Sequence, residues 1–518
     1  MTFRINHLNK ATGVTYVYEA TAVWDKDKKQ PRNKQVCIGK IDPQTGEFIP
    51  SRRLAHEQAA ARDPAVTATA QIIGPACLLD KATADLGLEK LLKSCFPKEH
   101  LQIRSMAYFL VCRGGPLSHC EAWSVNHQHP YGKPLTTQRM TEIMRTIDED
   151  RAQTFFGKWA RKILEKDYLC YDITSVSSYS ELNEYVKYAY NLDGEKLRQI
   201  NLAMLFGQES QLPIYYRRLP GNIGDVSTLH NFLEAFRFLN LPKVHVVMDK
   251  GFYSRKNVEA LLEARDKFTL AVSNRTKWVQ KSIDMVRGSI QGPENYRKLD
   301  DEILYVHSEL LPWGKDHRRS YLHLYFNAHA AADVIDGFTK ELLEYKEELE
   351  SGKLVEEHRE AYKTLFVVHE TPVRGKRVCY NNEAIEKYRR QYAGFLAILT
   401  NDIKDPVQTL MVYRNKDVVE KCFDDLKNQL DMKRLRIHGS ASMAGRFFVQ
   451  FIALIYMSSL RRDMRKADLI EKFTVRELLE EMESLTRVDY SGKYGHLITE
   501  VSKTQRQILE GFGAAFPT

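Results

Sequence analysis

Five short apolar segments between residues 168 and 274 limit the folds open to this chain more than any other feature. Their lengths and their β-branched and aromatic residues are typical of strands. One helical pattern separates the third segment from the fourth, and another separates the fourth from the fifth. Three strands, a helix, a strand, a helix and a strand predict a mixed α/β core. The segments are YLCYDITS at 168–175, INLAMLF at 200–206, LPIYYRRL at 212–219, VHVVMDKGF at 244–252 and FTLAVSN at 268–274.

The strand pattern places two aspartates where strands are predicted to end. The end of the first strand is predicted to deliver Asp172, and the fourth strand is predicted to end in Asp249. Active sites of open sheets collect at such ends. With Glu420 on a late helical segment, they can converge at one edge of the sheet. Carboxylate oxygens suit two Mg²⁺ or Mn²⁺ ions, which support an in-line phosphoryl displacement. For each aspartate taken alone, a turn or helix-cap carboxylate is the simpler interpretation.

The late segment YRNKDVVEKCFDDLKNQLDMKRLRIH at 413–438 has a helical pattern. At about 100° per residue, one narrow stripe of the predicted helix carries Tyr413, Lys416, Glu420 and Lys427. The opposite face is apolar and is predicted to pack on a core; it consists of Val418, Val419, Cys422, Phe423, Leu426 and Leu430. An ordinary surface helix with an ion pair between Lys416 and Glu420 gives the same pattern.

The regions outside the core have patterns of their own. Alternation at 15–20 and 36–41 around the basic segment DKDKKQPRNKQ predicts a small β-hairpin module with a cationic tip. Helical patterns dominate from 56 to 167. Residues 275–394 break the strand pattern and are highly charged, which predicts an insertion, because FLAILTND at 395–402 resumes an apolar strand.

Composition narrows the class of protein. The chain carries 76 lysines and arginines against 67 aspartates and glutamates, a net charge of +9 that agrees with a polyanionic partner. The sequence has no G-x-x-x-x-G-K-S/T loop, so ATP-driven chemistry is not indicated. The first residues, MTFRINHLNK, have no apolar run of the signal-peptide type. FFVQFIALIYMSSL at 447–460 is too short to span a bilayer, and it is predicted to be a buried helix of an intracellular protein.

The late segment resembles a family motif. The chain resembles the DDE transposases of bacterial insertion sequences, in particular the insertion-sequence-4 superfamily. That superfamily is marked by Tyr, two residues, Arg, three residues, Glu, six residues and Lys, which correspond here to Tyr413, Lys416, Glu420 and Lys427. Lys416 stands where the superfamily usually has Arg, so it lacks the bidentate fork for phosphate.

Other blocks carry the same resemblance. YDITS around Asp172, GNIGD at 221–225 and MDKGF around Asp249 look like the catalytic blocks of the family, and the N-terminal hairpin and helices look like its insertion-sequence-1634 branch. The resemblance implies an α/β fold with a ribonuclease-H-like catalytic core interrupted by an insertion domain. The implied regions are an N-terminal β-rich, DNA-contacting module (1–55), a helical accessory or DNA-binding region (56–165), the first part of the core (166–275), the insertion domain (276–394), the second part of the core with the catalytic Glu helix (395–465) and a C-terminal helical region (466–518).

The resemblance also implies an activity. Asp172, Asp249 and Glu420 would be the catalytic residues and would bind two Mg²⁺ (or Mn²⁺) ions per active site. The enzyme would cleave the ends of an insertion sequence and join the 3′-hydroxyl to target DNA, and in relatives excision passes through a DNA hairpin. The implied partners are double-stranded DNA, as terminal inverted repeats and as target, and a second copy of the chain in a synaptic homodimer. Neither ATP nor a membrane is expected, and the expected location is the bacterial cytoplasm, at the nucleoid.

DNA-binding residues are implied as well. Tyr413 and Lys416 would hold the terminal phosphates, and Lys427 would neutralise backbone charge. Trp278 or Trp313 in the insertion would stack on a flipped base, although core packing is a simpler explanation for each. The other expected DNA-binding residues are Lys433, Arg434, Arg436, Arg318 and Arg319.

Two alternatives stay open from the sequence. A nuclease of the same fold would cut DNA without joining it. A catalytically silent DNA-binding repressor, or domesticated relative, would be expected to have lost one of the acidic residues, and all three are present.

Overall fold

The computed structural model describes residues 2–25, 30–54, 67–163, 168–180, 184–188, 197–223, 227–229, 245–299, 302–314, 316–371, 375–390, 392–435, 437, 439–491 and 494–517. The chain forms two compact units. The smaller unit consists of Met1–Ala70 and Arg487–Leu497, and the larger unit consists of Gln71–Thr486 and Ile498–Thr518.

The described strands are β1 Thr2–Leu8, β2 Thr15–Asp25, β3 Gln30–Ile41, β4 Phe48–Pro50, β5 Ala68–Ile72, β6 Tyr168–Ser178, β7 Arg198–Gly207, β8 Pro213–Pro220, β9 His245–Met248, β10 Lys267–Val272, β11 Tyr296–Leu299, β12 Glu302–Trp313, β13 Arg318–Phe326, β14 Phe366–Thr371, β15 Gly375–Tyr380, β16 Phe395–Thr400, β17 Arg434–Leu435, β18 Thr486–Tyr490 and β19 His496–Ile498. The described α-helices are α1 Gly74–Leu86, α2 Leu88–Cys95, α3 His100–Cys112, α4 Cys120–Asn126, α5 Thr137–Thr146, α6 Glu149–Ile163, α7 Arg255–Glu263, α8 Lys277–Val286, α9 Ala328–Ser351, α10 Arg359–Leu365, α11 Asn382–Arg390, α12 Pro406–Arg414, α13 Asp417–Asp424, α14 Ser440–Lys466, α15 Val475–Met482 and α16 Lys503–Phe512.

The smaller unit is built on an antiparallel sheet of β1, β2, β3 and β4 in chain order. The predicted hairpin is confirmed, since β2 and β3 pair up to Asp25 and Gln30. The prediction that residues 25–35 form a basic loop is wrong for most of that segment. Residues 30–35 belong to β3, because each of them is paired with a residue of β2.

The larger unit is organised around a mixed sheet that has ten strands in the described part of the chain. Its main path has the order β11-β12-β13-β16-β10-β9-β6-β7-β8, and the short β17 pairs with β6. β6, β7 and β8 are antiparallel neighbours, whereas β9 runs parallel to both β6 and β10. The five strands predicted between 168 and 274 are confirmed. Their continuous apolar runs fit strands that are covered on both faces. The helix predicted after GNIGD lies mostly outside the described residues.

The region predicted as an insertion divides into two parts. β11, β12 and β13 extend the main sheet, because β13 pairs with β16. Residues 328–390 have a separate small core, made by Phe338, Leu342, Leu349, Tyr362, Leu365, Phe366, Val378 and Ile385. The segment with a core of its own is therefore shorter than the insertion predicted at 275–394.

The apolar stretch at 447–460 forms part of α14, and it is buried as predicted. Helices α1, α3 and α5 pack against it. The ring of Tyr456 lies edge-on to Tyr108 at 5.2 Å, and its hydroxyl is 2.8 Å from Thr83 Oγ1. Within the described residues, α14 is the one helix long and apolar enough to cross a membrane, and 94% of its apolar window is buried inside the protein.

Candidate active site

Asp172 and Asp249 lie side by side on neighbouring strands. The last residue pair between the parallel strands β6 and β9 joins Tyr171 to Met248, so the two aspartates are the next residue on each strand. β9 ends there, but β6 does not, and the prediction that its strand ends near Asp172 is wrong. β6 continues to Ser178 because β7 pairs with it along its whole length. Asp172 therefore lies mid-strand, at the point where the sheet opens beside β9.

Tyr413, at the end of α12, connects to this pair. Its hydroxyl donates a hydrogen bond to Asp249 Oδ1 at 2.9 Å. Burial and the neighbouring carboxylates raise the pKa of Tyr413 well above its ordinary value, so the phenol stays protonated and remains a donor. The backbone N–H of Lys250 donates to the same oxygen at 2.7 Å. These two donors fix the orientation of the Asp249 carboxyl group.

The helix predicted to carry the whole stripe is not continuous. α12 ends at Arg414 and α13 begins at Asp417, so Tyr413 and Glu420 lie on different helices. The break has a visible cause. Gln208 Nε2 donates to the carbonyl of Val412 at 2.8 Å, and that carbonyl would accept the Lys416 N–H in a regular α-helix. The Lys416 N–H instead bonds to the Tyr413 carbonyl at 3.1 Å, which makes a tighter turn.

Lys416 is the cation of the site. Its Nζ donates to Glu420 Oε1 and lies 5.8 Å from the centroid of the Tyr413 ring. The Lys416 side chain is 18% exposed, whereas that of Glu420 is 54% exposed. Partial burial opposes the charge of Lys416, but Glu420, Asp249 and Asp172 raise the pKa of its ammonium group above the ordinary value. Lys416 is therefore the shared counter-charge of three carboxylates.

The site holds more negative charge than Lys416 balances. The pKa of Asp172 is raised to about 7, mainly by burial. The Ile173 N–H at 2.8 Å and Lys416 act to lower this pKa, and Asp249 and Glu420 act to raise it. A carboxyl group that is hard to ionise beside two other carboxylates indicates a place where additional positive charge is favourable.

The donor set suits a hard divalent cation, because all three candidate ligands are carboxylate oxygens. In the described part of the chain, no group of three or more His, Cys, Asp or Glu side chains is close enough to hold a metal ion. Asp172 and Asp249 are neighbours, but Glu420 is bound to Lys416. The three carboxylates thus fit a divalent cation in chemistry and charge. Glu420 is the candidate ligand that is paired with Lys416 in this structure.

The apolar face predicted for 418–430 packs on the core as expected, with Val418 half-buried and the others buried. A buried ion pair beneath it was not predicted. Asp425 is 2% exposed, and Arg461 Nη2 donates to its Oδ1 at 2.6 Å. Asp425 begins a π turn, Asp425–Gln429, that follows α13. The only sequence signal was its place at about 120° on the helical wheel, next to the apolar face.

Four other basic residues expected to bind DNA, Lys427, Lys433, Arg434 and Arg436, follow α13 in the chain. Lys427 is half-buried in the π turn, and Lys433 and Arg434 are exposed. Arg434 is in β17, which pairs with the end of β6 at Ser177. Arg436 lies outside the described residues. Lys427 thus lies in a π turn and not in the regular helix predicted for the stripe.

The two tryptophans contact each other. Trp278 and Trp313 are edge-to-face with centroids 5.5 Å apart, and Trp278 Nε1 donates to the Tyr253 hydroxyl at 2.7 Å. Both are half-buried against the main core, which fits the packing alternative. Arg318 donates to the Leu262 carbonyl. Arg319, which was also expected to bind DNA, is exposed.

The structure shows a mixed α/β protein with a cluster of acidic side chains beside its main sheet. The family model described as the transposase DDE domain matches residues 164–456, more than half of the chain. The chain belongs to this family. It is a DDE-type transposase, an enzyme of transposition and DNA recombination, and DDE transposases generally use divalent metal ions.

Comparison with solved structures gives a distant match. It is the piggyBac transposase synaptic complex with hairpin DNA, with 10% sequence identity and a TM-score of 0.36 over 79% of this chain and 77% of that chain. No curated protein matches the sequence.

Proposed function

We propose that this transposase binds the ends of an insertion sequence, cleaves them in a divalent-metal-dependent reaction and joins the 3′-hydroxyl ends to target DNA. One observation carries the proposal. Asp172 and Asp249 directly follow the last paired residues of two parallel strands, and Glu420 shares Lys416 with them. This is the acidic trio that the family chemistry requires.

We assign the enzyme to the insertion-sequence-4 superfamily, in an insertion-sequence-1634-like branch. The spacing of Tyr413, Lys416, Glu420 and Lys427 supports the assignment. The strand order β8-β7-β6-β9-β10, with three antiparallel strands and then two strands parallel to β6, supports a ribonuclease-H-like core. In this proposal residues 276–394 interrupt the core between β10 and β16.

The proposed roles follow from the contacts. Asp172, Asp249 and Glu420 would hold two Mg²⁺ (or Mn²⁺) ions, which supply activation of the attacking oxygen and stabilisation of the leaving oxygen. Tyr413 keeps Asp249 aimed at the site through its hydroxyl. Lys416 balances the carboxylates, and it would be free to contact a DNA phosphate if Glu420 bound a metal ion instead.

The proposed partners are double-stranded DNA, as terminal inverted repeats and target, and a second copy of the chain. Two ends must be cut and joined together, and one acidic site serves one end, which favours a homodimer in the synaptic complex. The proposed reaction needs no ATP, because hydrolysis of a phosphodiester bond is exergonic and the joining step exchanges one phosphodiester bond for another. The cytoplasm, at the nucleoid, is the proposed location.

The test uses the full-length protein and labelled duplexes that carry the ends of its own element. With Mg²⁺ we expect cuts at the ends, and with EDTA none. Asp172→Ala, Asp249→Ala and Glu420→Gln should abolish cleavage and leave end binding within about threefold of wild type. Asp417→Asn is the matched control, because Asp417 is an exposed carboxylate of the same helix. Normal cleavage by any of the three variants would remove that residue from the site.

The products distinguish the competing activities. Strand-transfer products on a plasmid support the transposase, and a hairpin-sized product identifies the excision route. Cuts without transfer products, under Mg²⁺ and Mn²⁺ alike, would replace joining by simple nuclease activity. Specific binding without cuts would favour a DNA-binding repressor.

A further inference from the structure

The hairpin β2–β3 of the smaller unit extends beyond the rest of its sheet. β1 covers β2 only up to Thr21, and β4 covers β3 only at residues 39–41. The residue pairs from Ala22–Asn33 to Asp25–Gln30 therefore form a two-stranded ribbon with no third strand among the described residues. Ribbons of this kind are marginally stable in water unless something packs on them.

One face of the hairpin β2–β3, taken over the ribbon and the sheet next to it, carries three cations. Residues directly opposite each other in an antiparallel pair have side chains on the same face, so Lys34 lies beside Thr21 and Arg32 beside Val23. On β1, Arg4 is on this face too, since it is paired with Glu19. Asp25, paired with Gln30, has the same place in the alternation as Glu19. The three cations and two carboxylates give this face, which we call the cationic face, a formal net charge of +1.

The other face of the ribbon is uncharged at the same positions. It carries Trp24 opposite Pro31, Ala22 opposite Asn33, and Gln35. Trp24 is 61% exposed, and all of residues 30–35 are exposed. The two faces of β3 thus differ in charge but are equally exposed. Substitutions on one face can therefore be compared with substitutions on the other.

We propose that the ribbon binds in the major groove of double-stranded DNA with its cationic face toward the bases. The major groove is about 12 Å wide and admits a two-stranded ribbon, whose strands are about 4.8 Å apart. Arg32 and Lys34 match the guanine edge and the phosphates, and Thr21 and Val23 match thymine methyl groups. The proposal rests on the proposed function for its choice of DNA, but it concerns residues outside the family match.

The edge of β3 argues against the other obvious occupant, a strand from a second copy of the chain. Exposed edges that avoid strand pairing carry proline, lysine and similar charged residues. Pro31 has no N–H to donate, and Arg32 and Lys34 on both copies would repel each other. DNA phosphates, in contrast, are attracted by the same residues.

The experiment compares two double variants of the full-length protein. Arg32→Ala/Lys34→Ala removes the cationic face, and Asn33→Ala/Gln35→Ala changes the opposite face of the same strand. Binding to labelled duplexes with the element's ends is measured by fluorescence anisotropy in 150 mM salt. We expect the first variant to bind at least tenfold more weakly and the second to bind within about twofold of wild type. Circular dichroism and the melting temperature of each variant verify that the fold is kept.

Four further results decide between interpretations. Protection of guanine N7 from methylation in wild type, lost in the first variant, supports major-groove binding. Equal affinity of the two variants, in a wild type that binds and cleaves, would overturn the ribbon proposal and leave the transposase proposal intact. Loss of dimerisation in the first variant without weaker DNA binding would assign the ribbon to a second copy. A wild type that binds no DNA would instead contradict the proposed function itself.

Discussion

At the residue scale, Lys416 has the most informative position in the site. It is half of an ion pair with Glu420, but its charge also acts on Asp172 and Asp249. An exposed helix ion pair contributes little to stability. Because Lys416 instead balances a cluster of carboxylates, its main effect is expected on cation binding, where an ammonium group and a metal ion compete for the same oxygens.

Lys416→Met should therefore strengthen divalent-cation binding. Removal of one positive charge from a partly exposed site should lower the Kd for Mn²⁺ roughly tenfold. Isothermal titration calorimetry at pH 8.5, above the pKa of about 7 for Asp172, measures this without any DNA. Lys416→Arg keeps the charge and restores the residue usual in the superfamily, so it should bind Mn²⁺ as wild type does. Weaker binding by Lys416→Met would show that Lys416 does not compete with the metal.

At the element scale, the position of Glu420 depends on how α13 is held at both ends. Gln208 captures the Val412 carbonyl before the helix, and the buried Asp425 anchors the π turn after it. Burial raises the pKa of Asp425, and Arg461 opposes that shift. A carboxylate at 2% exposure needs its cation, so this ion pair supports the helix that carries Glu420.

Arg461→Met should destabilise the protein by about 3 kcal/mol, because it leaves a buried charge without a partner. Urea unfolding followed by circular dichroism measures the change in free energy. Arg462→Met is the matched control. Arg462 is next to Arg461 in the sequence and pairs at 3.3 Å with Asp463, whose side chain is 18% exposed. The expected loss of unfolding free energy in this control is below about 1 kcal/mol. The double variant Asp425→Leu/Arg461→Met should recover most of the stability. An equal loss of stability in Arg461→Met and Arg462→Met would contradict the role assigned to the pair of Asp425 and Arg461.

At the scale of the whole molecule, the chain combines an acidic catalytic site with a net charge of +9. The three carboxylates of the candidate site, Asp172, Asp249 and Glu420, lie together beside the main sheet. The smaller unit has a cationic face of its own. DNA binding is therefore expected to come from basic residues in more than one region, and catalysis from one region. Affinity and cleavage should then be separable by mutation.

The salt dependence of DNA affinity tests this division. Lysine and arginine contacts release counterions from DNA, so affinity should fall by about 10³-fold or more between 50 and 200 mM salt if six or more phosphates are contacted. Asp172→Ala should show the same slope, because it removes a catalytic residue and no DNA contact. A flat response in fluorescence anisotropy would contradict DNA as the main partner.

The sequence by itself determined the elements whose signal is local. The strands between 168 and 274 and the buried helix at 447–460 follow from runs of apolar residues, and the apolar face of 418–430 follows from helical spacing. The motif residues Tyr413, Lys416 and Glu420 were recognisable from their spacing alone. All of these depend on residues within one or two turns of each other.

The tertiary structure decided what depends on distant partners. The break after Arg414 requires Gln208, more than 200 residues away in sequence, and the continuation of β6 beyond Asp172 requires β7. β11–β13 join the main sheet because β13 meets β16. Backbone groups take whichever partner folding brings near, and no local pattern encodes that choice. The same holds for Lys416, whose spacing predicts one ion pair, while the fold makes it the counter-charge of three carboxylates.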